Sequence, residues 1–278
     1  MDTKSADAKR FVPQTIWMFF ILALLVSWAI WIPSFLFVPA KGQFPLLLLG
    51  GFGPFLSAII VIWAREGESA LKQWLSETFH LRMNPVWYLM GGLFLPLGVA
   101  LLHHTLYLLA GGRSAFTFNQ VWGIYIARLL STALLAGGNE EPGWRGFATP
   151  RLMARFHPIV ASIIVGIVWV IWHVPLYFGT WSGADQPLLW FFIYAIGLSI
   201  IMTWLYCQSR RSVVPVMLLH SGTNIVFDFF PRTKTIFSSS SLDFNVFKSL
   251  AYWIVAIVII VATKGRLGYS QENASEDR

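Results

Sequence analysis

Charge is scarce in this 278-residue chain: Asp, Glu, Lys and Arg make up 12% of it, about half the share of an ordinary soluble domain. Cysteine is scarcer still. The single Cys207 excludes an internal disulfide and any metal site built from several cysteines. Basic clusters interleaved with aromatics, as a nucleic-acid groove needs, are missing, so no nucleic-acid partner is expected. No internal repeat supports an inverted-repeat transporter. Apolar residues are plentiful, at 56%, with 16% aromatic and a mean hydropathy of +0.63. Disordered chains are charge-rich and aromatic-poor, which leaves an all-α polytopic membrane bundle surrounded by membrane lipids.

A helix needs about 20 residues to cross a ~30 Å hydrocarbon core. On that measure about eight transmembrane helices are expected: Ile16 to Val38, Pro45 to Ala64, Val86 to Ala110, Val121 to about Phe147, Pro158 to Phe178, Leu188 to Cys207, Val213 to Phe230 and Phe247 to Thr263. The fourth is interrupted by Gly137, Gly138 and Pro142, and the seventh carries His220, Asn224 and Asp228. The first apolar run exceeds the ~7 to 15 residues of a signal peptide core, so it reads as a retained helix. The organisation is a cytoplasmic segment 1–15, a bundle 16–264 and a polar tail 265–278, with a short amphipathic surface helix within Arg65 to Asn84.

Orientation follows from the placement of Lys and Arg. With the N-terminus in the cytoplasm, most basic residues, from Lys4, Lys9 and Arg10 to Arg278, fall inside. Lys41, Arg113, Arg232, Lys234 and Lys248 fall outside, and Arg128 lies within a span. Both termini are therefore expected in the cytoplasm, and the compact length suggests a bacterial plasma membrane.

An ionisable side chain at bilayer depth costs about 2.5 to 3.5 kcal/mol, so each needs a partner, a wet cavity or a function. Three stretches hold most of them. In Gly137-Gly138-Asn139-Glu140-Glu141-Pro142-Gly143-Trp144-Arg145, helical spacing pairs Glu141 with Arg145 and turns Glu140 about 100° away. One acid is then structural and the other free to work, and Pro142 frees the carbonyl four residues before it. The bland alternative is a pair of solvated acids in a cytoplasmic loop. The second stretch is Trp169-Val-Ile-Trp172-His173-Val-Pro175, and the third is His220-Ser-Gly-Thr-Asn224, with Asp228 a further four residues on along the same helical face. Their bland reading is interhelical hydrogen bonding.

Counted at about 1.5 Å per residue, His173 lies ~22 Å along its span and His220 ~12 Å along its own, so tilt or a wide cavity must bring them together. The acids must also be carried into the membrane, which requires the fourth helix to continue past Glu140 to around Phe147.

Two carboxylates, two histidines, an amide and a guanidinium suit hydrolysis by an activated water. A nucleophilic serine is disfavoured because no Gly-x-Ser-x-Gly occurs, and Cys207 has no readable base beside it. Zinc held by Glu140, His173 and His220 is the metal alternative, but no His-Glu-x-x-His spacing supports it, and no cofactor is the favoured expectation. Other classes remain: a transporter or channel using Glu140, His173 and Asp228 as an ion path, or a non-catalytic immunity-type membrane protein.

In order, content and placement, Glu140-Glu141-x-x-x-Arg145, an aromatic four residues before His173, and His220-x-x-x-Asn224 resemble the three motifs of the CAAX prenyl protease 2 family. This is the CPBP (Abi) group of intramembrane endopeptidases, and the resemblance covers roughly residues 120–230. It implies that Glu140 and His173 activate water, His220 and Asn224 bind the oxyanion, and Glu141 with Arg145 supports them. Trp169 stands where the family has Phe, and packing is its expected role. The implied substrate is a peptide or protein tail, lipidated or not, and the mechanism is expected to be glutamate-dependent and metal-free.

Overall fold

The computed structural model describes residues 13–113, 123–179, 187–229, 234–237 and 239–269, and among these every regular element is helical. The helices are α1 (Pro13–Phe37), α2 (Ala40–Gly50), α3 (Gly53–Glu66), α4 (Glu68–Thr78) and α5 (Val86–Leu109), followed by α6 (Tyr125–Leu135), α7 (Thr149–Met153), α8 (Pro158–His173), α9 (Leu188–Gln208), α10 (Val214–Ile225) and α11 (Ser240–Ala262). Among the described residues 6 helices are long and apolar enough to cross a membrane: Gln14–Phe37, Ala40–Glu66, Val86–Leu109, Pro158–Phe178, Leu188–Gln208 and Leu242–Ala262. The chain is an integral membrane protein built as a polytopic helical bundle. Its outer face is apolar, with Trp17, Leu25, Leu36, Trp63, Leu134 and Val261 exposed, while Ser27, Ser162, Ser199 and Arg145 are buried.

The two spans marked as interrupted are the ones that supply no helix of membrane-crossing length among the described residues. The fourth stops as an α-helix at Leu135. It resumes as a 3-10 turn, Gly138–Glu140, then a π-helical stretch, Pro142–Ala148, and then α7. This corrects the expectation of one helix continuing through Glu140, although residues 137–149 are buried without a gap. The seventh ends as an α-helix at Ile225 and tightens to a 3-10 turn, Val226–Phe229. The tightening turns Asp228 off the face of His220 and Asn224, and its carboxylate accepts from Arg128 Nη2 at 2.7 Å. Lys4, Lys9, Arg10, Arg232 and Arg278, used in the charge count, lie outside the described residues. Gly265 to Tyr269, expected in the polar tail, instead forms turns that bury Leu267 completely.

Proline explains much of the irregularity, because it leaves the carbonyl four residues earlier without its usual donor. Opposite Pro96 the Gly92 carbonyl accepts from the Tyr125 hydroxyl at 2.6 Å, and opposite Pro150 the Gly146 carbonyl accepts from Trp74 Nε1 at 2.9 Å. Opposite Pro142 the Gly138 carbonyl accepts from the Glu141 N–H. These bonds tie α5 to α6, and α4 to the π-helical stretch. Helix α9 is the most buried of the candidate spans and packs on α8, α10 and α11. The acidic stretch reaches it through Arg145.

Candidate active site

The turn that carries the acids begins at Gly137, whose φ of +127° is a conformation L side chains rarely adopt. A Cβ there would lie 2.7 Å from Asn224 Nδ2 and 3.0 Å from His220 Nε2. The missing side chain therefore serves both the backbone turn and the close approach of α10. Asn139 Oδ1 accepts from the Gly137 N–H at 2.9 Å and closes the turn locally.

Beyond the turn the two carboxylates diverge as helical spacing predicts. Glu141, fully buried, lies 3.0 Å from Arg145 Nη1 through Oε2, and its Oε1 accepts from His220 Nδ1 at 2.6 Å. Arg145, also fully buried, donates through Nη2 to Ser199 Oγ at 3.1 Å, and Ser199 donates to the Ser162 carbonyl at 2.7 Å. A buried ion pair is tolerated when its remaining polar atoms find partners, and Ser199 supplies one. Glu140 points elsewhere: its Oε2 accepts from Trp169 Nε1 at 2.7 Å, and the residue is 6% exposed. Solvated loop acids would be neither buried nor so engaged.

Trp169 is the centre of the arrangement. Its indole meets the His173 ring edge-on with centroids 5.2 Å apart and the His220 ring edge-on at 5.3 Å, while its N–H holds Glu140. The depth difference between the two histidines is resolved here. Residue 169 lies one turn, about 6 Å, before His173 on α8, and His220 contacts that earlier turn. His173 Nδ1 lies 2.8 Å from the Trp169 carbonyl. A carbonyl only accepts, so Nδ1 carries the proton, and in the neutral ring Nε2 holds the lone pair. The same reasoning at His220 puts its proton on Nδ1, facing Glu141, and its Nε2 towards Gly137.

Asn224 sits across Gly137 from His220. It is exposed, at the rim rather than inside, and its Nδ2 donates to the Ala136 carbonyl at 3.3 Å. The structure thus gathers Glu140, His173 and His220 about one indole, sets Glu141 and Arg145 behind them, and leaves Asn224 at the edge. Among the described residues no group of three or more His, Cys, Asp or Glu is arranged to hold a metal ion.

Sequence reasoning missed the hydrogen bond of Trp169 and assigned it packing alone. It also missed Ser199 and Ser162, isolated hydroxyls in apolar runs. For Trp169 the one available signal was an N–H donor on the same helix as the histidine; for the serines there was none.

Comparison with known proteins finds its family match over the same part of the chain. Residues 120–226 match the family described as type II CAAX prenyl endopeptidase Rce1-like. A protein from Methanococcus maripaludis named CAAX prenyl protease 2 is 26% identical over 266 residues, covering 89% of this chain and 93% of its own length. Over the stretch that holds every residue of the cluster the chain is similar to the Rce1-like CAAX prenyl endopeptidases, and this likeness supports an intramembrane protease.

Proposed function

We propose that the protein hydrolyses a peptide bond in a membrane-associated tail, with a prenylated cysteine tail as the first substrate to try, using a water activated by Glu140. The observation that carries this reading is the convergence of Glu140, His173 and His220 on Trp169, inside a bundle whose outer face is apolar. Glu140, aided by the His173 Nε2 lone pair, takes a proton from water as its oxygen attacks the scissile carbonyl carbon. The negative charge that forms on the carbonyl oxygen is met by the Asn224 amide N–H and by His220 as an imidazolium, whose Nε2–H donates to the oxyanion while Nδ1–H stays on Glu141. Collapse of the tetrahedral intermediate breaks the C–N bond, and the proton held by Glu140 passes to the leaving amine. Glu141 fixes the tautomer and direction of His220, and Arg145 balances the charge of Glu141.

The direct test is cleavage of a prenylated-cysteine peptide by purified protein in detergent or vesicles, with products identified by mass. Cleavage beside the lipidated cysteine is the expected result; no hydrolysis of any such peptide by folded protein would sink the reading. Activity should also survive extensive chelation with metal content verified. Stoichiometric zinc, with activity lost on removal and restored on return, would transfer water activation to a metal held by the same three residues.

Trp169→Phe keeps both ring contacts and removes the hydrogen bond to Glu140. A bond to a charged group contributes roughly 1.5–3 kcal/mol, so kcat/KM should fall about ten- to a hundredfold with little change in melting temperature. Unaltered kcat/KM would show that the indole N–H does not orient the acid.

A further inference from the structure

Lys248 is a buried charge that the hydrolytic scheme does not use. The charge count put it on the outer side, at the start of the span expected from Phe247, but α11 begins at Ser240, and the residue lies well inside the candidate span Leu242–Ala262. It shares a helical face with Asn245 and Tyr252, and the three are 9%, 1% and 1% exposed. Its ammonium lies 3.9 Å from the Tyr194 ring centroid, 5.3 Å from that of Phe244 and 5.4 Å from that of Phe227. Among the described residues it makes no hydrogen bond and no ion pair. Asp243, the acid nearest along the helix, is engaged by the N–H groups of Ile236 and Phe237. Ring faces attract a cation but give its N–H groups no oxygen and do not neutralise it. A buried charge left in that condition is costly and marks a functional position in a membrane protein.

The surroundings point back to the candidate site. The His173 ring packs on Phe191 at 4.9 Å, Phe191 packs on Tyr194 at 5.4 Å, and Tyr194 lies under the Lys248 ammonium. Phe227, whose ring centroid lies 5.4 Å from the ammonium, is the third residue after Asn224. The ring-to-ring route is an upper limit on the separation of His173 from Lys248. An extended chain, at ~3.3–3.6 Å per residue, covers it in about four residues.

We propose that Lys248 binds a carboxylate of the substrate, on the leaving portion of the peptide within about four residues of the scissile bond. The proposal rests on the hydrolase reading above and adds a specificity determinant to it. Tyr194, Phe227 and Phe244 form the apolar wall that strengthens a charge-assisted contact by excluding water, so the site selects tails that end, or bear an acid, at that distance. The carboxylate is either the chain terminus or an Asp or Glu side chain, and the assay separates the two.

The experiment compares one prenylated peptide as free acid, as C-terminal amide, and as amides ending in Glu or Gln, each cleaved by the full-length wild-type protein and by Lys248→Met, Lys248→Gln and Lys248→Arg. Exchanging a buried charge for an apolar side chain of similar volume is commonly neutral or stabilising, so Lys248→Met should fold; Lys248→Gln removes the charge by a second route. Wild type should prefer the acid over the amide by about ten- to a hundredfold in kcat/KM, carried by KM. The acid-to-amide ratio should fall to near one in Met and Gln and be retained in Arg. A gain for the Glu-ended amide over the Gln-ended one identifies a side-chain carboxylate; no gain identifies the terminus. Equal KM for acid and amide in the wild type, or a preference that persists in either uncharged variant, overturns the assignment while leaving the hydrolase intact. Failure of the wild type to cut any peptide overturns the hydrolase reading instead.

Discussion

Exchanging Glu140 for glutamine should lower peptide hydrolysis by about 10²–10⁴-fold while the protein still purifies and melts as a folded bundle. The amide can still accept from Trp169 Nε1, which the native carboxylate meets at 2.7 Å, so the local geometry is largely preserved and the loss isolates proton abstraction. Glu140→Ala and His173→Ala should be as severe. In His173→Ala the edge-on contacts with Trp169, Trp172 and Phe191 go as well, so a modest fall in melting temperature accompanies the loss. Because Glu140 and His173 act in one step, the double variant should be scarcely worse than either single one. Wild-type rates in Glu140→Gln would remove the acid from the mechanism.

The second large effect is on stability. Arg145→Met strips the fully buried Glu141 of its cation, and Glu141→Ala leaves Arg145 in the core with Ser199 as its remaining hydrogen-bond partner among those described above. Removing one member of a buried pair costs about 3–5 kcal/mol, because the other charge stays uncompensated. Both single variants should unfold at markedly lower temperature. The double variant Glu141→Ala/Arg145→Met should recover much of the loss in stability without recovering activity, since His220 has lost the acceptor that orients it. A double variant no more stable than the singles would mean that the pair is not the source of the cost.

What could be read from the chain alone divides along physical lines. The long apolar runs are properties of composition, and six of them became helices of membrane-crossing length. Glu141 and Arg145 pair because both lie on one short segment, where helical spacing is enough. Contacts between segments were less legible. The spacing of His220, Asn224 and Asp228 assumes an unbroken α-helix, but the helix tightens after Ile225 and hands Asp228 to Arg128. The Gly-Gly break before Asn139 was visible as an interruption, but its direction was not, since a positive φ at Gly137 follows from the neighbouring α10 as much as from glycine itself. Lys248 was counted with the outer charges at the very start of the expected eighth span, because the polar residues before Phe247 read as a loop; the helix in fact starts at Ser240, capped by the Ser239 side chain, and carries it inward.

The bond from Trp74 to the Gly146 carbonyl joins the short helix α4 to the interior. Were α4 to lift from the bundle, that carbonyl, in a segment buried at every position, would have no water to replace the indole. Docking of this peripheral helix and completion of the acidic stretch are therefore a single cooperative event. A disturbance at the edge of the molecule would be felt first as loosening of the chain on either side of Arg145.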